Sequence, residues 1–109
     1  MCMVFPGLSG GSDKGYVKCL VRDFMSHGFE VAVFNNRGVS ETEYTSPEFA
    51  NFVRSEEPHM ALEFVKSRST DAELVAVGMS MGANTMIKTA GEYGEKWPFK
   101  AMVSVNNPF

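Results

Sequence analysis

Four short apolar runs, separated by segments of helical character, constrain this chain more than any other feature. They fall at residues 1–5, 29–34, 73–77 and 101–105, are rich in Val, Phe, Met and Ala, and show little alternation of polar with apolar residues. Strands that read as nearly continuous apolar runs are buried on both faces, as in parallel sheets covered by crossover helices. Between them, residues 16–27 place Val17, Leu20, Val21 and Phe24 at i, i+3, i+4 and i+7 of a helix. Ser12 or Asp13 is expected to cap its start, with Gly28 as the residue just past its end. Ala61, Phe64 and Val65 give a second helical stripe, and Pro58 is tolerable ahead of it because first-turn amides lack intrahelical acceptors. A third helix starts near Met81 and fades at Gly91 or Gly94. The order β-α-β-α-β-α-β predicts an α/β fold with a mainly parallel sheet of about four strands, helices on both faces and right-handed crossovers.

Between residues 39 and 57 lies a polar stretch whose expected anchors are Tyr44, Phe49, Phe52 and Val53. The segment Trp97-Pro98-Phe99 is expected to pack the return to the fourth strand. Composition removes several classes of function. With 13 acidic against 10 basic residues among 109, the net charge of −3 argues against an electrostatic nucleic-acid binder. No apolar run reaches the ~18 residues of a membrane span, and the first residues do not read as a signal peptide. Cys2 and Cys19 form neither a disulfide framework nor a metal-ligand pattern and are expected to be free thiols in a reducing compartment. No metal and no cofactor is called for.

The segment with the most chemistry is Gly78-Met79-Ser80-Met81-Gly82, which follows the third apolar run and opens the third helix. A serine on a tight strand-to-helix turn is lifted above the sheet, and the helix N-terminus behind it offers unpaired N–H groups to a developing oxyanion. Gly7-Leu8-Ser9-Gly10-Gly11 fits the same glycine–serine spacing, but Ser9 is separated from its helix by further loop and reads as a loop residue. Residues 6–12 follow a strand expected to lie beside the elbow strand. There a backbone N–H, that of Leu8, could converge with the Met81 N–H on one oxygen. A flavodoxin-like phosphate-binding arrangement also fits the alternating pattern, but it leaves the 78–82 turn without a role.

Taken together and in this order, Pro6-Gly7-Leu8-Ser9-Gly10-Gly11-Ser12, Phe34-Asn35-Asn36-Arg37-Gly38 and Gly78-Met79-Ser80-Met81-Gly82-Ala83-Asn84 resemble the α/β-hydrolase fold superfamily. More narrowly they resemble the AB hydrolase 4 family of lipase- and esterase-like proteins, over nearly the whole chain. The resemblance implies Ser80 as nucleophile, the Leu8 and Met81 N–H groups as oxyanion donors, and Gly7, Gly78 and Gly82 as loop and elbow glycines. It implies a carboxylic-ester substrate, acylglycerol or phospholipid, and possible membrane association of the full-length protein. It also makes residues 35–38 a structural turn, with Arg37 held in ion pairs rather than contacting substrate.

The order Ser, then Asp or Glu, then His expected of such a triad is not completed. After Ser80 the chain has no Asp and no His, only Glu92 and Glu95. His27 is expected at the far end of the first helix. His59 is expected as a solvent-side residue of the second helix's first turn, with only a remote claim as base. The triad Asp and His are therefore expected outside this chain, which reads as the central part, residues 1–109, of a single hydrolase domain. The alternative is a catalytically inactive truncated paralogue, or an incomplete gene model, serving at most as a binding or interaction module. Met79, Met81 and Met86 read as core and pocket filler, and Cys19 lacks a histidine that would make it a nucleophile.

Overall fold

The computed structural model describes residues 1–108. Strands β1 (Cys2–Phe5), β2 (Val31–Val33), β3 (Leu74–Met79) and β4 (Phe99–Val105) alternate with helices α1 (Gly15–Ser26), α2 (Glu56–Arg68) and α3 (Met81–Tyr93). The strands form one sheet in the order β2-β1-β3-β4, and every pairing is parallel. This is the expected α/β architecture. Its two innermost strands, β1 and β3, carry the loop 6–12 and the elbow 78–82 at their C-terminal ends.

The two faces of the sheet have separate cores. On one, Met3, Phe5, Ala76 and Phe99 pack with Leu62 and Val65 of α2 and Met86 of α3. On the other, Cys2, Val4 and Val77 pack with Leu20 and Phe24 of α1. The alternation along β1 sends Met3 and Phe5 one way and Cys2 and Val4 the other, so all four are at most 1% exposed. β1 is thus buried on both faces, which explains its uninterrupted apolar sequence.

Several local expectations need correction. Helix α1 is flanked by Lys14, and neither Ser12 nor Asp13 caps it. Instead the Ser12 N–H donates to Asn35 Oδ1 at 2.9 Å, Asn35 Nδ2 donates to Ser12 Oγ at 3.0 Å, and Asp13 accepts from the Ser40 hydroxyl. These side chains tie the loop after β1 to the turn after β2 and are unavailable as caps. At the other end of α1, Gly28 adopts φ +83° as expected. The Phe29 N–H reaches Phe24 O and the Gly28 N–H reaches Met25 O, a Schellman closure completed by the edge-on Phe24–Phe29 contact at 5.3 Å. Phe29 belongs to that closure and packs on the Cys2, Val4 and Val77 core, and β2 begins at Val31.

Of the expected α2 stripe, Val65 is buried and Ala61 packs on the core, but Phe64 turns outward and Pro58 and Leu62 are buried in its place. Phe64 is 60% exposed and lies under the Arg68 guanidinium. Tyr44, Phe49 and Val53 are exposed rather than anchoring, and only Phe52 is half-buried. Polar contacts hold this stretch instead: Arg37 to Glu57, Ser46 and Glu48, and Lys88 to Ser55. The Trp97 and Phe99 rings lie 4.8 Å apart, so residues 97–99 pack the return to β4 as expected.

Burial gives the two thiols different chemistry. Cys2 is fully enclosed, and desolvation pushes its pKa up to about 11, whereas Cys19 is exposed. Iodoacetamide at pH 8 is therefore expected to modify Cys19 in the native protein and Cys2 only after denaturation. The raised pKa also carries a sign. Below pH 9 the thiol is protonated folded or unfolded, and between about 9 and 11 only the unfolded chain has released the proton. Stability is expected to fall as pH rises through that window, and Cys2→Ser in an unfolding titration would remove this component.

Candidate active site

The site-bearing turns meet where chain direction reverses. From β1 the chain passes through α1 to β2 on one side, and from β3 it passes through α3 to β4 on the other. The C-terminal ends of β1 and β3 therefore flank a topological switch point, the place where open α/β sheets bind ligands.

Ser80 occupies the junction of β3 and α3 with φ +51° and ψ −123°, a conformation that a side chain rarely adopts and that costs about 1–3 kcal/mol. Its neighbours fix that geometry. The Ser80 N–H donates to Val105 O at 2.9 Å, so the end of β4 supports the turn, and Asn84 N–H returns to Ser80 O at 3.2 Å. Gly82 passes the end of β1 so closely that a Cβ there would lie 2.1 Å from Phe5 O and 2.2 Å from Pro6 O. Gly78 is crossed by α3, where an added Cβ would meet Ala83 Cα at 2.6 Å. Ser80 itself is exposed.

The loop after β1 comes up against this turn. A Cβ at Gly7 would lie 3.3 Å from Ser80 Cβ and 3.4 Å from Met79 O. The Gly10 N–H donates to Gly7 O at 2.8 Å and Ser9 has φ +56°, so residues 7–10 make a tight turn with Leu8 and Ser9 at its corners. Among the described residues, neither the Leu8 nor the Met81 N–H has a protein acceptor. Met81 stands at the start of α3, where amides are free and the dipole end is positive. Ser80, Gly7, Gly78, Gly82, Leu8 and Met81 are thus brought to one place. Ser9 is an exposed turn residue six positions before α1.

Two clefts open beside this turn. One, about 600 Å³, runs from Met81 along residues 48–54. The other, about 440 Å³, lies between Leu8 and Phe49, Ala50 and Phe52. Leu8, Phe49 and Val53 are 65%, 78% and 76% exposed, so large apolar side chains stand at a mouth that Lys14, Arg37 and Arg54 also line.

Neither histidine joins Ser80. His27 is exposed at the far end of α1, where Nδ1 contacts Asp23 O. His59 is half-buried rather than solvent-side. Its ring lies edge-on to Tyr93 at 4.5 Å, and its Nε2 is 3.6 Å from Glu92. Glu92 is eleven residues along α3 from Met81, about 17 Å at 1.5 Å per residue, so His59 faces the wrong end of that helix. The Glu92 carboxyl is held below its ordinary pKa chiefly by the Lys88 ammonium and then by the Ser55 hydroxyl. Glu95 is exposed in the short turn of 3₁₀ helix that follows α3. Arg37 is held by Glu57, Glu48 and Ser46, as its ion-pair reading requires. Among the described residues no three His, Cys, Asp or Glu side chains gather as metal ligands, and no helix is long and apolar enough to cross a membrane.

Two contributors escaped sequence reasoning. Tyr16, on the first turn of α1, accepts the Gly7 N–H through its hydroxyl at 3.1 Å. The only signal was an aromatic residue outside the Val17 stripe directly after a glycine-rich loop. The other is the Val105 carbonyl, whose role depends on strand order and has no side-chain signature.

Comparison with known proteins agrees with this fold. A family model described as alpha/beta hydrolase fold matches residues 3–109. The chain is 35% identical over 107 residues to an embryogenesis-associated protein, EMB8, of Picea glauca, covering 98% of this chain and 23% of that protein. It is 29% identical over 110 residues to a monoacylglycerol lipase of Saccharomyces cerevisiae, covering 100% and 24%. It is 30% identical over 99 residues to the phospholipase ABHD3 of Bos taurus, covering 91% and 24%. The chain thus spans about a quarter of the length of these relatives. No solved structure matches it. A serine in a strained strand-to-helix turn, a glycine-rich loop against it, a parallel sheet in the order β2-β1-β3-β4 and a family match over nearly all residues make this chain a member of the α/β-hydrolase fold family.

Proposed function

We propose that this chain is the central part of a serine hydrolase that cleaves carboxylic esters of lipids, acylglycerols or phospholipids. The observation that carries the reading is Ser80 at φ +51° against Gly7, with the unpartnered Leu8 and Met81 amides beside it. In this reading Ser80 Oγ attacks the ester carbonyl carbon and passes its proton to a base. The carbonyl oxygen becomes an oxyanion held by the Leu8 and Met81 N–H groups. Collapse breaks the ester C–O bond, the alcohol leaves with the proton from the base, and water then hydrolyses the acyl-serine by the same steps in reverse order. The positive end of α3 favours the charge that develops.

The base and the acid that orients it are supplied by sequence outside these 109 residues, because His27 and His59 both lie away from Ser80. The names of the relatives, a monoacylglycerol lipase and a phospholipase, support a lipid ester as substrate. The exposed apolar side chains of Leu8, Phe49 and Val53 beside the turn suit contact with an acyl chain. The 109-residue chain alone is expected to give no turnover of p-nitrophenyl butyrate above background, whereas the full-length protein turns it over. Turnover by the short chain that disappears in Ser80→Ala would show that the missing groups are not needed. A stable 12.0 kDa species in the native source that never reacts with a fluorophosphonate would favour a non-catalytic binding module instead.

A further inference from the structure

We propose that Tyr16 is a positioning residue for the oxyanion loop, acting through its hydroxyl on the N–H of Gly7, the residue before Leu8. The inference rests on the ester-hydrolase reading above and adds a residue to it. Tyr16 lies on the first turn of α1, 43% exposed, and its side chain is not needed to fill either core. Its hydroxyl oxygen accepts the Gly7 N–H at 3.1 Å. The same oxygen occupies the concave side of the 7–10 turn, where a Cβ on Gly10 would approach it to 2.3 Å. Glycine at position 10 therefore leaves the space that the hydroxyl fills.

The consequence for Leu8 follows from peptide geometry. Gly7 is the flexible link between β1 and the turn, and two bonds fix its two peptide planes. The Pro6–Gly7 plane is set by the N–H to Tyr16, and the Gly7–Leu8 plane by Gly7 O accepting from Gly10 N–H. No peptide among the described residues is cis, so the Leu8 N–H points opposite to the Gly7 carbonyl, away from the turn's interior. Ser80 lies on that loop's elbow side, since Gly7 abuts its Cβ. Remove the phenol oxygen and the Gly7 amide loses its acceptor. The glycine then regains rotation about φ, and the Leu8 donor is no longer aimed in advance. A donor that must be reoriented during reaction stabilises the transition state less than one already in place.

The test is Tyr16→Phe in the full-length protein, with Ser80→Ala beside it. The expected result is a kcat about tenfold lower on p-nitrophenyl butyrate, with KM within twofold and an unfolding midpoint lowered only as far as one unpaired amide accounts for. Inhibition by an alkyl trifluoromethyl ketone, which forms an oxyanion on Ser80, is expected to weaken by a similar factor. In wild-type protein the Gly7 amide is expected to exchange with deuterium far more slowly than the Leu8 amide, a readout that needs no variant. A Tyr16→Phe protein with unchanged kcat and ketone affinity would overturn the role while Ser80→Ala stayed inactive. Loss of kcat in step with lost stability, at unchanged ketone affinity, would make Tyr16 merely structural and overturn it too. Equal exchange of the two amides would do the same. Activity retained by Ser80→Ala would instead remove the hydrolase reading itself, and the Tyr16 role with it.

Discussion

Ser80→Ala in the full-length protein is expected to lower kcat for ester hydrolysis by at least a thousandfold, and to abolish covalent labelling by a fluorophosphonate. The size of the effect follows from chemistry that no neighbour can replace. Ser9 is the other serine in a glycine-flanked turn, but it stands at a loop corner six residues ahead of its helix. Cys19 lies on the exposed face of α1. The variant is expected to fold, because among the described residues the Ser80 side chain makes no hydrogen bond and only its backbone bonds to Val105 and Asn84. Alanine carries the same penalty at φ +51° as serine, so an unchanged unfolding midpoint accompanies the loss. Labelling that persists after the substitution would place the nucleophile elsewhere.

Gly82→Ala is expected to destabilise the fold by about 3 kcal/mol or more, measured by urea unfolding of the full-length protein. The new methyl would sit 2.1 Å from Phe5 O and 2.2 Å from Pro6 O. Both are backbone atoms at the end of β1, the strand buried on both faces, so neither can yield as a flexible side chain would. Relief requires α3 to lift from the sheet, which breaks the packing of Met86 and shifts the elbow. Gly91→Ala supplies the contrast. That position is also in α3, has nothing within 4 Å of the new methyl and does not have a positive φ. Alanine there is expected to stabilise by about 0.5–1 kcal/mol. A Gly82→Ala protein within 1 kcal/mol of the parent would show that α3 does not touch β1 as described.

The strands and helices were legible because each carries a local physical signature. The 3.6-residue stripe Val17, Leu20, Val21, Phe24 belongs to α1, and the unbroken run in β1 to a doubly covered strand. The elbow at 78–82 was legible because the glycine spacing coincides with the end of an apolar run. What escaped reading depends on partners distant in sequence. Ser12 and Asp13 look like helix caps until Asn35 and Ser40 claim their hydrogen bonds. Phe64 looks like core until the helix rotates Pro58 and Leu62 inward. Tyr44, Phe49 and Val53 look like anchors of a loop, yet they border open clefts. Apolar residues in a polar stretch signal burial or a binding mouth equally well, and only the fold separates the two.

The central position of β1 has a consequence for how the molecule forms. This strand hydrogen-bonds to both β2 and β3, and the Met1 amino group reaches the Glu73 carbonyl 72 residues away in sequence. Such pairing closes a large loop before any contact compensates the lost entropy, which makes folding slow relative to a helical chain of equal length. On the ribosome β1 emerges long before its second neighbour has been synthesised. Until then it is a sticky strand with an unpaired edge, a substrate for chaperones and a seed for aggregation. The turn at Ser80 is completed only when Val105 arrives to accept its amide. The elbow geometry is therefore completed only once β4 has been synthesised, so nascent chains that end before Val105 are expected to be sticky while the Ser80 turn is still unformed.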